Sequence, residues 1–202
     1  LGRAQGILPK TEVIPGETIK MGSNIKVYVT KVENTTKGPF ILLSRTHYGF
    51  IKRLFELEIP EINEGIVLVY SVAREAGVRT KIAVYSENVN VDPIGACIGE
   101  KGTRIANILK ELGNEKIDIV EYTSDKSKFI ENALSPAKNL HVFIFDAKKQ
   151  EALVVVDNEN LSLAIGRKGL NVKLASRLTK YNLDIKTYEQ AREMGINLVD
   201  EN

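Results

Sequence analysis

The sequence predicts an α+β protein built from more than one domain, because one short pattern occurs twice in the same surroundings. The pattern is I-G-x-K-G-x-x-[IV], found at residues 98–105 and again at 165–172. These are the two places in the sequence where glycines stand three residues apart. An apolar helical segment follows each copy, and strand-like segments begin 15 and 14 residues after the second glycine, at 117–122 and 183–188. Matched spacing of this kind indicates an internal repeat.

The segments upstream of each copy complete the two repeats. Runs of apolar and β-branched residues predict strands at 66–72 and 80–85 before the first copy, and at 141–145 and 152–156 before the second. Apolar residues at helical spacing predict a connecting helix at 125–134. A helix that short and regular indicates a fixed relation between the repeats.

The amino-terminal part has a different pattern. Residues 24–32 and 39–44 are predicted strands, and the turn residues at 34–38 between them predict a hairpin. Residues 46–62 are predicted to form an amphipathic helix that ends at Pro60. We expect this helix to pack the amino-terminal part against the first repeat. Its apolar stripe consists of Phe50, Ile51, Leu54, Phe55 and Leu57.

Each copy of the pattern has the chemistry of an anion site. Glycine permits backbone angles that a Cβ would forbid and lets a partner approach closely. The second glycine opens a helix whose first amides lack partners and carry the positive end of the helix dipole, where a phosphate can bind. Lys101, Arg167 and Lys168 add positive charge at the same place. The alternative is that the glycines only mark turns, but two matched copies favour binding to a nucleic-acid backbone.

The net charge of +2 hides an uneven distribution. Residues 166–181 contain five basic side chains and no acidic one, whereas acidic residues collect at 56–64 and in the tail, at Glu189, Glu193, Asp200 and Glu201. The second copy therefore predicts a basic surface whose affinity for phosphates falls as salt rises. A solvated helix face is the alternative for the last three of the five basic residues. The five are Arg167, Lys168, Lys173, Arg177 and Lys180.

Composition excludes several classes of protein. No apolar run approaches the roughly 18 residues of a membrane span, and residues 1–6 do not resemble a signal peptide, so we expect a cytoplasmic protein. The single Cys97 excludes an internal disulfide and is expected to be a packed side chain. With His47 and His141 as the two histidines, a zinc site is not expected.

At this point a family resemblance is evident. A G-x-x-G loop between two helices, with two strands before it and one after, resembles the prokaryotic (type II) KH domain, whose loop clamps about four nucleotides of a single strand. Two such domains behind an OB-type barrel resemble the NusA family of bacterial transcription elongation, termination and antitermination factors. The stretches that carry the resemblance are 14–18, 43–47, 53–62, 71–77, 132–137 and 161–166.

The resemblance implies three modules. Residues 1–45 would be the later part of an OB-type barrel of the S-one family, 46–134 the first KH domain with its connecting helices, and 135–202 the second. The opening strands of the barrel, and the amino-terminal domain through which NusA proteins mainly contact RNA polymerase, are absent from this sequence. The expected partners are single-stranded RNA and RNA polymerase, with no cofactor or metal and a monomeric chain.

The expected RNA contacts lie along both loops, on the helix that follows the second loop, and between the domains. Aliphatic residues beside each loop would form the floor of a groove for bases, and pure core packing is the alternative for them. The floor residues are Ile98, Ile105, Ile165 and Val172. The predicted RNA-binding set is Ile98, Gly99, Glu100, Lys101, Gly102, Thr103, Arg104, Ile105, Ser135, Pro136, Ile165, Gly166, Arg167, Lys168, Gly169, Lys173 and Arg177.

An enzyme is not expected. The sequence contains no G-x-x-x-x-G-K-[ST], G-x-G-x-x-G or H-E-x-x-H pattern, and Asp118 and Asp184 are expected to be solvent-facing strand residues rather than paired catalytic carboxylates. Two other functions remain open, a ribosome-associated RNA-binding or assembly protein and the RNA-binding appendage of an exoribonuclease. Polynucleotide phosphorylase places one KH domain before its barrel, which is the reverse of the order expected here.

Overall fold

The amino-terminal part contains one β-hairpin. The structure is a computed structural model that describes residues 1–198, so the predicted acidic residues Asp200 and Glu201 lie outside it. Strands β1 (Tyr28–Thr35) and β2 (Gly38–Ser44) pair antiparallel, and Ile7 forms a parallel bridge with Leu42. The first strand begins four residues later than predicted. This hairpin is consistent with part of an OB-type barrel.

Two helices replace the single helix predicted at 46–62. Helix α1 spans Tyr48–Glu58 and α2 spans Pro60–Asn63, with Ile59 extended between them. Proline disfavours a helical conformation in the residue before it, which explains the break. The prediction for Leu57 was wrong, since 71% of this side chain is exposed while the rest of the stripe is buried.

The first repeat is a three-stranded sheet with two helices inserted before its last strand. The strands are β3 (Leu68–Glu75), β4 (Arg79–Tyr85) and β5 (Lys116–Glu121), in the spatial order β3-β4-β5. The outer pair β3/β4 is antiparallel and β4/β5 is parallel. The inserted helices are α3 (Pro93–Ile98) and α4 (Thr103–Leu112), and the first glycine loop lies between them.

The second repeat has the same topology. Its strands β6 (His141–Asp146), β7 (Glu151–Val156) and β8 (Asn182–Thr187) are ordered β6-β7-β8, with an antiparallel and then a parallel pair. Helices α6 (Asn158–Ile165) and α7 (Leu170–Thr179) enclose the second glycine loop. The predicted internal repeat is therefore confirmed.

Two further helices flank the second sheet in sequence. Helix α5 (Lys126–Ala133) connects the repeats, and α8 (Tyr188–Glu193) follows β8. The Asp125 carboxylate accepts from the Ser127 amide at 3.0 Å and caps the start of α5. The Ser135–Pro136 peptide after α5 is cis. None of the helices in residues 1–198 combines the length and the apolar character that a membrane crossing requires.

Helices and sheets alternate in layers. Ile82 and Val84, on one face of the first sheet, share a core with α1, α3 and α4. Ala73 and Ala83, on the opposite face, share a core with α5 and α7. That same core includes Val154 of the second sheet, so α7 lies between the two sheets. The far face of the second sheet is covered by α8.

This layering corrects one prediction. Asp118 does not face solvent, because its side chain lies on the face of the first sheet that α5 and α7 cover and is 14% exposed. It accepts from Arg79 Nε at 2.7 Å and from the buried Lys81 Nζ at 2.9 Å. The prediction holds for Asp184, whose side chain is 57% exposed. Equivalent positions in the repeats thus have different surroundings.

Candidate nucleic-acid interface

The two glycine loops have nearly identical backbones. Gly99 has φ 76° and ψ 173°, and Gly166 has φ 77° and ψ 170°. The second glycines, Gly102 and Gly169, are left-handed with φ 74° and 71°. The lysine before each second glycine is also left-handed, with φ 52° at Lys101 and 54° at Lys168. A lysine rarely adopts this conformation, so its recurrence shows that the loop shape is built into the fold.

The two glycines of each loop have different surroundings. A Cβ on Gly99 would lie 2.6 Å from Cγ of Arg104, and a Cβ on Gly166 would lie 2.8 Å from the backbone nitrogen of Asn171. A Cβ on Gly102 or Gly169 would meet no described atom within 4 Å. The first glycine therefore serves packing within the loop, whereas the second presents open backbone to the outside.

Both loops lead into helix starts that can attract an anion. Gly102 and Gly169 are the N-cap residues of α4 and α7, and within the described structure no side chain caps either start. Uncapped first-turn amides carry the positive end of the helix dipole. Lys101, Arg167 and Lys168 are exposed beside them. This arrangement can bind a phosphate group at each loop.

Three predicted cationic contacts are engaged elsewhere. Arg104 Nη1 donates to Glu61 Oε2 and to the Ala96 carbonyl, both at 2.7 Å, so this side chain folds back onto its own domain. Lys173 Nζ and Arg177 Nη1 lie 3.8 and 3.9 Å from Glu75 Oε2 of the first sheet. Both remain about half exposed, so their pairing with Glu75 is loose.

The predicted aliphatic floor divides into two kinds of residue. Ile98 and Ile165 are 39% and 36% exposed at the ends of α3 and α6. Ile105 and Val172 are partly buried and pack against the cores of their domains. One exposed aliphatic side chain therefore stands immediately before each loop. Glu100 and Thr103 are exposed on the first loop, where Thr103 Oγ1 donates to the Glu100 carbonyl at 2.9 Å.

A groove of about 420 Å³ runs along the edge of the first sheet to the linker between the domains. Ile94, Ile119 and Asn132 line it together with Ser135 and Lys138. Sequence reasoning found Ser135 but missed the other four. The alternation of apolar residues in β5 and the position of Ile94 directly after Pro93 were the available signals, but neither indicates which face remains uncovered.

The floor of the linker is held by a buried ion pair. Lys81 Nζ donates to the Ser135 carbonyl at 2.8 Å while it contacts Asp118. Burial disfavours the charge on both partners and lowers the pKa of Lys81 despite the nearby carboxylate. Burial alone would raise the pKa of Asp118, but hydrogen bonds and charge from Arg79 and Lys81 outweigh it and hold that pKa below its ordinary value. Ser135 and its exposed neighbour Pro136 are thus anchored to the first sheet.

Cys97 lies behind the first loop and is fully buried. Burial raises its pKa to about 12, so the thiol stays protonated and inert, as expected of a packed side chain. Among residues 1–198, no group of three His, Cys, Asp or Glu side chains is placed to hold a metal ion. The chemistry at the loops is therefore that of cations, amides and open glycine backbone.

Family models recognise both repeats. A model described as the NusA-like first KH domain matches residues 45–122, and one described as the NusA-like second KH domain matches residues 126–193. Together the two matches span most of the chain. They place the glycine loops, the sheets and the linker within known domain types.

Relatives named transcription termination/antitermination protein NusA match nearly the whole chain. The Bacillus subtilis protein is 52% identical over 97% of this chain and 53% of its own length. The Halalkalibacterium halodurans protein is 50% identical over 97% of this chain and 51% of its own length. The Thermus thermophilus protein is 48% identical over 94% of this chain and 49% of its own length. The chain spans about half the length of these curated relatives, and with its tandem KH domains it belongs to the NusA family.

Proposed function

We propose that this chain binds single-stranded RNA through its two glycine loops and is the RNA-binding part of a transcription elongation factor. The RNA would be the nascent transcript, and its capture would modulate pausing, termination and antitermination by RNA polymerase. The names of the relatives support the role in transcription. The fold and charge of the loops support the role in RNA binding. The chain's role is binding rather than catalysis.

The single observation that carries this proposal is the open backbone at Gly102 and Gly169. Both glycines hold a left-handed conformation with no described atom near the position of a Cβ, and both stand at an uncapped helix start beside an exposed lysine. A packing role would explain a glycine with a close neighbour, as at Gly99 and Gly166. Open backbone in both copies is suited to close approach by a phosphodiester strand.

The layered packing supports one RNA path across both loops. Because α7 lies between the sheets, the second loop has a fixed position relative to the first domain. The groove along β5 leads from the first domain to Ser135 and Lys138 at the linker. Binding at one loop then makes binding at the other intramolecular, which can raise affinity by about 10²–10⁴ over a single loop.

RNA polymerase is the second partner in this proposal. The family resemblance assigns its main contact to an amino-terminal domain other than the residues of this chain. We expect the chain to act as a monomer in the bacterial cytoplasm, since each domain supplies a complete loop of its own. The proposed boundaries are 1–45 for the partial barrel, 46–134 for the first KH domain and 135–202 for the second, and residues 199–202 lie outside the described structure.

Fluorescence anisotropy with a single-stranded RNA of about 12 nucleotides and the matching DNA tests the proposal. The variant Gly102→Asp/Gly169→Asp places a negative charge where each phosphate would bind. Gly65→Asp/Gly113→Asp is a matched control, because those glycines also have positive φ (74° and 71°) and open space at Cβ but lie outside the loops.

The proposal predicts that the parent prefers RNA to DNA, that the loop variant loses at least tenfold in affinity for RNA, and that the control stays within about twofold of the parent. Full binding by the loop variant would overturn the clamp. Equal losses in both variants would show that backbone strain, not the loops, is responsible.

A further inference from the structure

Asn171 occupies the first turn of α7, directly after the second loop, and is 3% exposed. Its Nδ2 donates two hydrogen bonds at 3.0 Å, one to the Ala164 carbonyl and one to the Leu134 carbonyl. Ala164 lies in α6 on the other side of the same loop. Leu134 is the last residue before the linker and belongs to the helix that closes the first domain. One amide group therefore ties the second loop both to its own domain and to the preceding one.

Arg104 is the equivalent side chain in the first repeat, five residues after the first glycine of its loop. Its guanidinium donates to the Ala96 carbonyl in α3 and to Glu61 in α2, both at 2.7 Å. The pattern of contacts is the same, with one bond to the helix before the loop and one to the element that precedes the domain. Chemically different side chains thus perform matching tasks in the two copies.

The first glycine of each loop is shaped to this side chain. A Cβ on Gly99 would lie 2.6 Å from Arg104 Cγ, and a Cβ on Gly166 would lie 2.6 Å from Asn171 Cβ. The loop backbone therefore packs directly on the side chain that anchors it. A change at Asn171 must be felt at the loop, because no other group separates them.

The other end of α7 has a second anchor on the first domain. Ser71 Oγ of β3 donates to the Leu178 carbonyl in the last turn of α7 at 2.9 Å. Leu174 and Leu178 are fully buried in the core that both domains share. Polar contacts at both ends and apolar contacts between them fix α7, and hence the second loop, on the first domain.

We infer that Asn171 is a positioning residue that sets the second RNA-binding loop at a fixed distance from the first, so that one RNA strand engages both loops. This inference rests on the proposed function. Asn171 is too buried to touch RNA, and it acts through the loop backbone and through Leu134. Loss of its donors leaves two carbonyls without partners and frees the loop from the first domain, so the gain from intramolecular binding at the second loop is lost.

The first experiment measures loop position without RNA. Spin labels at Glu100→Cys and Arg167→Cys report the distance between the loops, and the buried Cys97 thiol does not compete for the label. The parent should give one narrow distance distribution, and Asn171→Leu, which keeps the volume but has no donor, should broaden or shift it. An unchanged distribution would overturn the inference whatever the chain binds.

The second experiment compares an RNA of about 12 nucleotides with one of about four. Asn171→Leu should weaken binding of the long RNA by about tenfold or more and leave binding of the short RNA within about twofold of the parent. Asn107→Leu is the control, because Asn107 lies on the equivalent helix α4 and contacts only Glu58 among the bonds of its side chain in the described structure. Equal losses for long and short RNA would contradict a positioning role.

Two measurements keep the outcomes separate. Gly102→Asp and Gly169→Asp as single variants show whether the long RNA uses both loops, so a failure of the proposed function is visible independently of Asn171. Ser71→Ala removes the anchor at the far end of α7 without touching the loop, and it should shift long-RNA affinity in the same direction by a smaller factor. If Asn171→Leu does not fold, as judged by circular dichroism, Ser71→Ala with the distance measurement decides, and an unchanged distance there would overturn the inference.

Discussion

Arg45 Nη1 donates to Oε1 of Glu111 at 2.9 Å. Arg45 follows β2 and Glu111 lies in the last turn of α4, so the bond joins the amino-terminal hairpin to the first KH domain. Glu17 accepts from Arg45 Nε at 2.9 Å on the other side of the same guanidinium. Arg45 is 2% exposed, and the joint is therefore a buried cation held between two carboxylates.

Replacement of this cation should loosen the joint. Arg45→Met is expected to lower the free energy of unfolding by about 3 kcal/mol, because Glu17 and Glu111 would keep their partly buried charges without a partner. Urea denaturation measures this loss, and hydrogen exchange should rise in β1 and β2. Arg53→Met is the control, since Arg53 pairs with Glu56 at the surface and should cost less than about 0.5 kcal/mol. Equal costs would contradict the joint.

Alanine at the two glycines of the second loop should separate stability from binding. Gly169→Ala is expected to cost about 1–2 kcal/mol for its left-handed backbone and to weaken RNA binding severalfold. Gly166→Ala should cost more, because the new Cβ would lie 2.8 Å from the Asn171 nitrogen and because φ near 77° with ψ near 170° is a region that glycine alone occupies. Thermal melts with RNA titrations check both, and equal melting temperatures would contradict the division of roles.

Glu75 should restrain RNA binding at the helix that follows the second loop. Glu75→Gln removes the carboxylate that Lys173 and Arg177 face at 3.8 and 3.9 Å, which leaves both cations free for phosphates. We expect affinity for RNA to rise about twofold to fivefold, as for a surface ion pair, with a steeper dependence on salt. Glu87→Gln, on the exposed loop after β4, is the control. Unchanged affinity and salt slope would show that these cations do not meet the RNA.

Acid should destabilise the first domain through Asp118. Its folded pKa lies below the unfolded value of about 3.9, so its contribution to stability is present above that value and is lost as pH falls through the folded pKa. Asp118→Asn should unfold more easily at pH 7, by about 3 kcal/mol because Lys81 stays buried, and should lose less stability than the parent between pH 5 and pH 2. Asp184→Asn, at the equivalent exposed position, should change stability by less than about 0.5 kcal/mol. Parallel pH curves for the parent and Asp118→Asn would contradict the assignment.

Local patterns were sufficient to predict the repeated part of the fold. The paired glycine loops and the strands around them are encoded within about 60 residues of each copy, so spacing and alternation locate them. The conformations of Lys101 and Lys168 were not predicted, because the sequence does not indicate which loop residue takes positive φ when lysine stands beside glycine.

The missed features depend on contacts that are distant in the sequence. Arg104 was predicted to meet phosphate, but Glu61 lies close enough to hold it. Asp118 was predicted to face solvent because strand alternation gives two faces and does not tell what covers each one. Here the covering element is α7, from the other repeat, and the small side chains Ala73 and Ala83 make room for it.

The layer order gives the two repeats unequal roles. The rear face of the first sheet is completed by a helix of its neighbour, whereas the rear face of the second sheet is completed by α8 from its own repeat, with Ala191 against Leu153 and Val155. Stacked repeats can propagate when every unit offers the same open face. Here α8 acts as a stopper, so the duplication is a self-limiting array of two, and a third copy could join this face only by displacing α8.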